Sequence, residues 1–169
     1  LTADADERVV LYPLTLAGIS ILTSIAGIFC IRIRPGGSIM SALYRGVGIA
    51  AVLAIGLYYP ATRWLLEDRV IISGRLVPSD HLFYSAILGL GLMAALMITT
   101  DYYTSSDYAP VQRIAKAATT GDGTNVIAGL SVSMKATAVP VILICASMWA
   151  SFQLGGLFGI AIASTGMLS

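Results

Sequence analysis

The sequence predicts an all-α fold, a polytopic transmembrane helix bundle with about four complete spans and the start of a fifth, and three observations predict it. Hydrophobic residues make up 57% and charged residues 11%, whereas an ordinary soluble domain carries about 25% charge. Residues 9–31, VVLYPLTLAGISILTSIAGIFCI, contain no charge; at roughly 1.5 Å per residue they are long enough to cross a hydrocarbon core of about 30 Å. No charged residue follows Lys135, a run too long for one helix of ordinary spanning length.

The first span, 9–31, is preceded by the cluster Asp4, Asp6, Glu7 and Arg8. Ala17, Ser20, Ser24 and Gly27 recur at three- and four-residue steps and so share one helix face. In lipid, where tails are as apolar as Leu, such a stripe of small residues lets a second helix approach closely, so this span expects a partner. Pro13 is placed near the helix start, where its missing N–H costs little.

Arg32, Arg34, Pro35, Gly36 and Gly37 read as a basic turn before a second span over about residues 40–62. Arg45 can snorkel to the interface. Gly46, Ala50 and Ala54 form another close-packing stripe, and Tyr58, Tyr59 and Pro60 read as an interfacial belt at its far end. The segment 61–81 balances Arg63, Arg69 and Arg75 against Glu67, Asp68 and Asp80. It reads as a surface loop with a short hairpin around Ser73 and Gly74. His81, the single histidine, stands where that loop meets the next span and reads as an interfacial residue, since a relay or metal site needs partners that are absent nearby in sequence.

The third span, 82–100, is uncharged with Gly89, Gly91, Ala94 and Ala95 at its centre. A connector over 101–134 leads to a fourth span, about 135–152, in which Pro140 is expected to kink the helix or mark its entry. Gln153, Leu154, Gly155 and Gly156 are the natural break before a fifth, 156–169, whose start carries Gly155, Gly159 and Ala163 at four-residue spacing. Loops holding Arg32, Arg34, Arg45, Arg113, Lys116 and Lys135 share one side, against Arg8, Arg63, Arg69 and Arg75 opposite. The positive-inside bias puts the first set, and with it the connector, in the cytosol.

The stretch Thr99–Pro140, TTDYYTSSDYAPVQRIAKAATTGDGTNVIAGLSVSMKATAVP, is the most polar and distinctive part of the chain. Within it, Pro110 opens a short amphipathic helix with Val111, Ile114, Ala115 and Ala118 opposed to Gln112, Arg113 and Lys116, suited to the cytosolic interface. Thr119 to Thr124 form a turn in which Asp122 or Thr124 could cap the next helix. GDGTN invites comparison with phosphate-cradling loops, but it lacks the Walker spacing and its Lys–Ser/Thr pair and follows no strand, so it reads as a helix cap. Asp101, Asp107 and Asp122 are too dispersed to specify a magnesium–diphosphate centre, which needs several carboxylates converging on metals about 3.5–4 Å apart. No span carries an ionisable residue at its middle, where ion paths are normally marked. Cys30 and Cys145 stand alone and read as packing residues. A net charge of +1 implies no polyanion partner, so nucleic acid is excluded as the expected ligand.

DYYTSSDYAPVQ, TTGDGTNVIAGLSVSMKATAVP and LFGIAIASTGMLS together resemble the membrane-integral, ion-pumping inorganic pyrophosphatases. LYPLTLAGISILTSIAGIFCIR and SALYRGVGIAAVLAIGLYYPAT are similar to family helices, though less distinctively. The resemblance implies a protein of about sixteen transmembrane helices in inner and outer rings, acting as a homodimer, hydrolysing pyrophosphate with Mg2+ and pumping protons, sodium or both. Aligned on these motifs, the chain is similar to the seventh to tenth helices, of the outer ring, and the start of the eleventh. The family's Asp-rich substrate loops have no counterpart here, so the resemblance carries over no catalytic, cofactor-binding or metal-binding residue. Members often have Glu where Asp101 stands, and vary between acid and base at Lys135.

The expected function is thus a part of a pyrophosphate-driven proton pump, with proton preferred over sodium from the look of the GDGTNVIAGL segment. Its expected partners are the inner-ring helices of the same polypeptide, a second copy, pyrophosphate and the bilayer. The expected location is a prokaryotic plasma membrane, with an acidic-organelle membrane as the alternative. The opening LTADADER has no Met and no basic segment, and both ends read as those of an internal piece of a larger protein. The alternatives are a sodium-pumping member, a non-hydrolytic transporter, and a structural membrane subunit. A transporter predicts internal repeats and half-helices with polar centres. Neither is visible between residues 1–80 and 81–169.

Overall fold

A computed structural model describes residues 2–30, 39–66, 69–72 and 75–168. Its elements are α1 (Thr2–Cys30), α2 (Ile39–Leu65), β1 (Arg69–Ile72), β2 (Arg75–Pro78), α3 (Ser79–Thr104), α4 (Ala109–Ala118) and α5 (Asp122–Met167). Four of these helices are long and apolar enough to cross a membrane, so the fold is all-α and membrane-spanning, relieved by one antiparallel hairpin that pairs Arg69 with Pro78 and Ile72 with Arg75. The basic turn at Arg32, Arg34, Pro35, Gly36 and Gly37, together with Glu67, Asp68, Ser73 and Gly74, lies outside the described residues, as do the side chains of Arg8, Cys30, Arg69 and Arg75. Cys145 is exposed.

The chain divides into two compact units, residues 1–90 with 150–169, and residues 91–149. In the first, α1 and α2 run antiparallel and meet on the two predicted stripes. A Cβ on Gly27 would lie 2.9 Å from the Ala50 Cβ and 3.1 Å from the Gly46 carbonyl oxygen, so only glycine permits this approach.

Lower on the same interface a hydroxyl chain replaces small residues. The Ser20 hydroxyl donates to the Leu16 carbonyl (2.8 Å), which leaves its lone pairs to accept from the Tyr58 hydroxyl. Thr62 likewise donates to the Tyr58 carbonyl (2.7 Å) and accepts from the Tyr12 hydroxyl (2.9 Å). All four side chains are buried. With every proton placed, the interface carries polar groups through an apolar layer where an unpaired one would cost several kcal/mol.

Two sequence expectations are corrected here. Tyr58 is fully buried between helices and is no belt residue, whereas Tyr59 is exposed; position along the chain set the height but not the azimuth, which Ser20 decides. Pro13 lies inside α1, because the helix extends back to Thr2 through the acidic cluster. Its missing N–H therefore leaves an interior carbonyl, that of Val9, without its usual partner.

Beyond α2, Arg63 pairs with Asp80 at 3.5 Å and lies 5.6 Å over the Tyr59 ring, which meets Phe83 edge-on at 5.5 Å. Val77 of β2 reaches the buried cluster of Leu66, Leu82 and Ala86. The hairpin thereby fastens the end of α2 to the start of α3.

Candidate functional site

Besides the hydroxyl chain between α1 and α2, two places carry polar chemistry among the described residues: the fold-back at Gly155–Gly156 in the first unit, and the connector around α4 in the second.

Gly155 and Gly156 leave helical geometry inside α5, Gly156 at φ +62°, a left-handed conformation that favours glycine. Eight residues of continuous helix rise about 12 Å, yet a Cβ on Gly159 would overlap the Ser151 carbonyl. The chain therefore turns back on itself, and its last segment lies along α3. A Cβ on Gly155 would sit 3.1 Å from Leu82, one on Gly159 3.3 Å from the Ser85 hydroxyl, and one on Gly89 against the Ala163 carbonyl. These contacts advance together, so the two segments run parallel, with Gly155, Gly159 and Ala163 as the facing stripe.

The break strips carbonyls of their helical partners, and His81 supplies one donor. Its Nδ1 lies 3.1 Å from the Leu154 carbonyl oxygen. A carbonyl only accepts, so Nδ1 carries the proton. The sequence reading placed His81 as an interfacial residue without a partner. The partner lies 73 positions away, and the sequence signal that could have found it was the Gln153–Gly156 break, whose orphaned carbonyls need donors.

In the connector, Asp101 and Tyr102 to Thr104 complete α3, and residues 122–134 open α5, so the segment between long helices narrows to 105–121. Tyr102 meets Tyr103 at 5.1 Å and Tyr108 at 5.2 Å between ring centroids. Pro110 stands in the first turn of α4, as its fixed φ suits. Val111, Ile114 and Ala117 are half-buried, while Gln112, Arg113 and Lys116 are exposed. The Gln112 amide donates to the Asp107 carbonyl at 3.2 Å.

The turn that follows is closed by threonines. Thr119 donates to the Lys116 carbonyl (2.7 Å), Thr120 to that of Ala117 (2.7 Å) and Thr124 to that of Gly121 (2.7 Å), with Thr120 and Thr124 hydroxyls 2.8 Å apart. Gly121 adopts φ +141°, the second position where glycine's freedom is used. Thr124 thus sits inside the first turn and bonds a carbonyl instead of capping an N–H, and Asp122 lies in that turn as its acid, favourable to the helix dipole. The single hydroxyl proton of GDGTN, that of Thr124, is spent like those of Thr119 and Thr120 on the chain's own carbonyls, which makes the segment a helix junction.

Asp107 precedes α4, Asp122 opens α5 and Asp101 lies in α3. Among the described residues no three of His, Cys, Asp and Glu come together. These side chains do not fit the several converging carboxylates that a magnesium–diphosphate centre requires, so no chemical step through a metal is derived from them. Pro140 is passed without departure from helical geometry, since only Gly155 and Gly156 leave it; the helix is already established from Asp122 and does not take its entry from the proline.

Comparison with known proteins places these features in a family. Residues 2–169 match the family described as Inorganic H+ pyrophosphatase. The chain is 41% identical over 164 residues to "Pyrophosphate-energized proton pump 2" of Rhizobium leguminosarum bv. trifolii, covering 96% of this chain and 76% of that protein. It is 41% identical over 159 residues to the protein of the same name from Mycoplana dimorpha, covering 93% and 76%. It is 37% identical over 171 residues to "K(+)-insensitive pyrophosphate-energized proton pump" of Methanosarcina mazei, where it covers 96% of this chain but 24% of the relative.

Proposed function

The chain belongs to the inorganic H+ pyrophosphatase family, and on that premise we propose that it forms part of a membrane pump which couples pyrophosphate hydrolysis to proton transport. The observation that carries this reading is the 41% identity over 96% of the chain to a relative named as a pyrophosphate-energized proton pump. The fold supports it, since α1, α2, α3 and α5 are membrane-spanning in length and apolarity.

Within such a pump this chain supplies scaffold. Its helices associate through the Gly27 and Gly159 stripes and the Tyr12–Thr62 and Tyr58–Ser20 bonds. The diphosphate chemistry, with Mg2+ as the expected cofactor, is placed on residues beyond these 169, in keeping with the 24% share of the longer Methanosarcina relative that they match. The assembly proposed is a homodimer in a prokaryotic plasma membrane, with α4 on the cytosolic side. Proton is the proposed ion, following the names of the relatives.

Vesicles holding the full pump, loaded with a pH-sensitive dye, test the reading. Pyrophosphate with Mg2+ should acidify the lumen and a protonophore should collapse the gradient. Hydrolysis with no acidification, or acidification that follows sodium entry instead, would overturn proton coupling.

A further inference from the structure

We infer that α4 is a membrane-surface helix whose Arg113 and Lys116 bind the phosphate groups of anionic lipid. Residues 105–108 and 119–121 are all that join it to α3 and α5, two helices of membrane-spanning length and apolarity. At no more than about 3.5 Å per residue, neither link carries α4 far from their ends.

A second, independent observation fixes its depth. Tyr108, the residue before α4, lies tilted against Tyr102 with ring centroids 5.2 Å apart, and Tyr102 meets Tyr103 edge-on at 5.1 Å. Tyrosines cluster at the headgroup level, where one end of the ring is apolar and the other wet.

At that depth the two faces of α4 match the two sides of the interface. Val111 and Ile114 are half-buried and Arg113 and Lys116 exposed. The cations are three residues apart and so point the same way. Asp107 on the first link and Asp122 at the start of α5 form no ion pair with either of them among the described residues. Two unpaired cations on long apolar stems can drape their heads onto lipid phosphates, the guanidinium in bidentate fashion.

Lipid is the occupant, and not a soluble anion, because of where the charge lies. Lys116 is in the last turn of α4, at the end that offers no free backbone N–H to cradle an anion, and Pro110 removes a donor from the opposite end. What remains is side-chain charge facing the headgroup layer. Near an anionic surface two such cations should give about a thirtyfold preference at low salt, fading as salt rises.

The test is amide exchange of residues 109–118 in the full chain, held in nanodiscs of phosphatidylcholine alone or mixed with phosphatidylglycerol. Protection should rise with phosphatidylglycerol, fall with added salt, vanish in R113Q/K116Q and survive in R113K/K116R. Equal protection in both lipids, or protection retained in R113Q/K116Q, overturns the inference. So does equal protection from inorganic phosphate or pyrophosphate added to phosphatidylcholine discs, which would mark a soluble-anion site. Because the readout is exchange and not turnover, it is independent of whether the chain takes part in pumping.

Discussion

At the residue scale, the helix interfaces depend on what a side chain would displace. Gly89 lies so close to the Ala163 carbonyl that a Cβ there overlaps it, whereas a Cβ on Gly91 would meet nothing within 4 Å. Gly89→Ala is therefore expected to cost roughly 1–3 kcal/mol through overpacking. Gly91→Ala should be neutral or slightly stabilising, since Ala in a helix is favoured over Gly by about 1 kcal/mol. Thermal unfolding of the two variants in the same detergent checks the contrast, and equal midpoints would refute it. The hydroxyl chain makes a second expectation. Tyr58→Phe removes the donor to Ser20 while leaving Ser20 bonded to the Leu16 carbonyl. The loss should stay near 0.6–1.7 kcal/mol, the range for interhelical hydrogen bonds in membranes. Tyr58→Ala, which also empties a fully buried site, should cost about 3–5 kcal/mol.

At the element scale, the fold-back is the feature on which the last segment depends. Gly156 holds φ +62° with ψ −146°, a region occupied almost only by glycine and costing any other residue roughly 1–3 kcal/mol. Gly156→Val and Gly156→Asn should then both destabilise the pairing of residues 155–167 with α3, whereas substitution at Gly91, with open space around it, should not; a cysteine crosslink between the two segments reads the difference. His81 belongs to the same element. His81→Ala leaves the part-buried Leu154 carbonyl without its donor, with an expected cost of about 0.5–1.5 kcal/mol, the net worth of an ordinary hydrogen bond. The stripe residues Gly155, Gly159 and Ala163 were readable as a packing face from their spacing, because helical periodicity is local. That this face meets Leu82, Ser85 and Gly89 of α3 was not readable, since nothing in the periodicity names the partner.

At the scale of the whole molecule, the described residues hold helices of spanning length, a hairpin clasp and a helix junction around α4, and no cluster of metal-binding side chains. The 169-residue chain reconstituted by itself with Mg2+ and pyrophosphate is accordingly expected to release no phosphate above the protein-free background. Measurable turnover would show that these residues carry the hydrolytic chemistry after all. The candidate site changed character between sequence and structure. Thr99–Pro140 reads as the chemically richest stretch, but its threonines close helix ends and its aspartates stand apart. Its distinctiveness belongs to a junction between two long helices.

The sequence alone determined the all-α membrane architecture and the family, because span length, charge exclusion, small-residue stripes and the TTGDGTNVIAGL segment are properties of consecutive residues. It also located the break at Gly155–Gly156 and the short helix begun by Pro110, both written in turn and cap chemistry. Only the tertiary structure decided that Tyr58 turns inward to Ser20, that Pro13 lies within a helix reaching back to Thr2, and that His81 donates to Leu154. In an apolar layer an unpaired hydroxyl, ring nitrogen or carbonyl is costly, so most find a partner. Which partner each finds depends on the azimuth and depth of a neighbouring helix many residues away, and local sequence leaves both open.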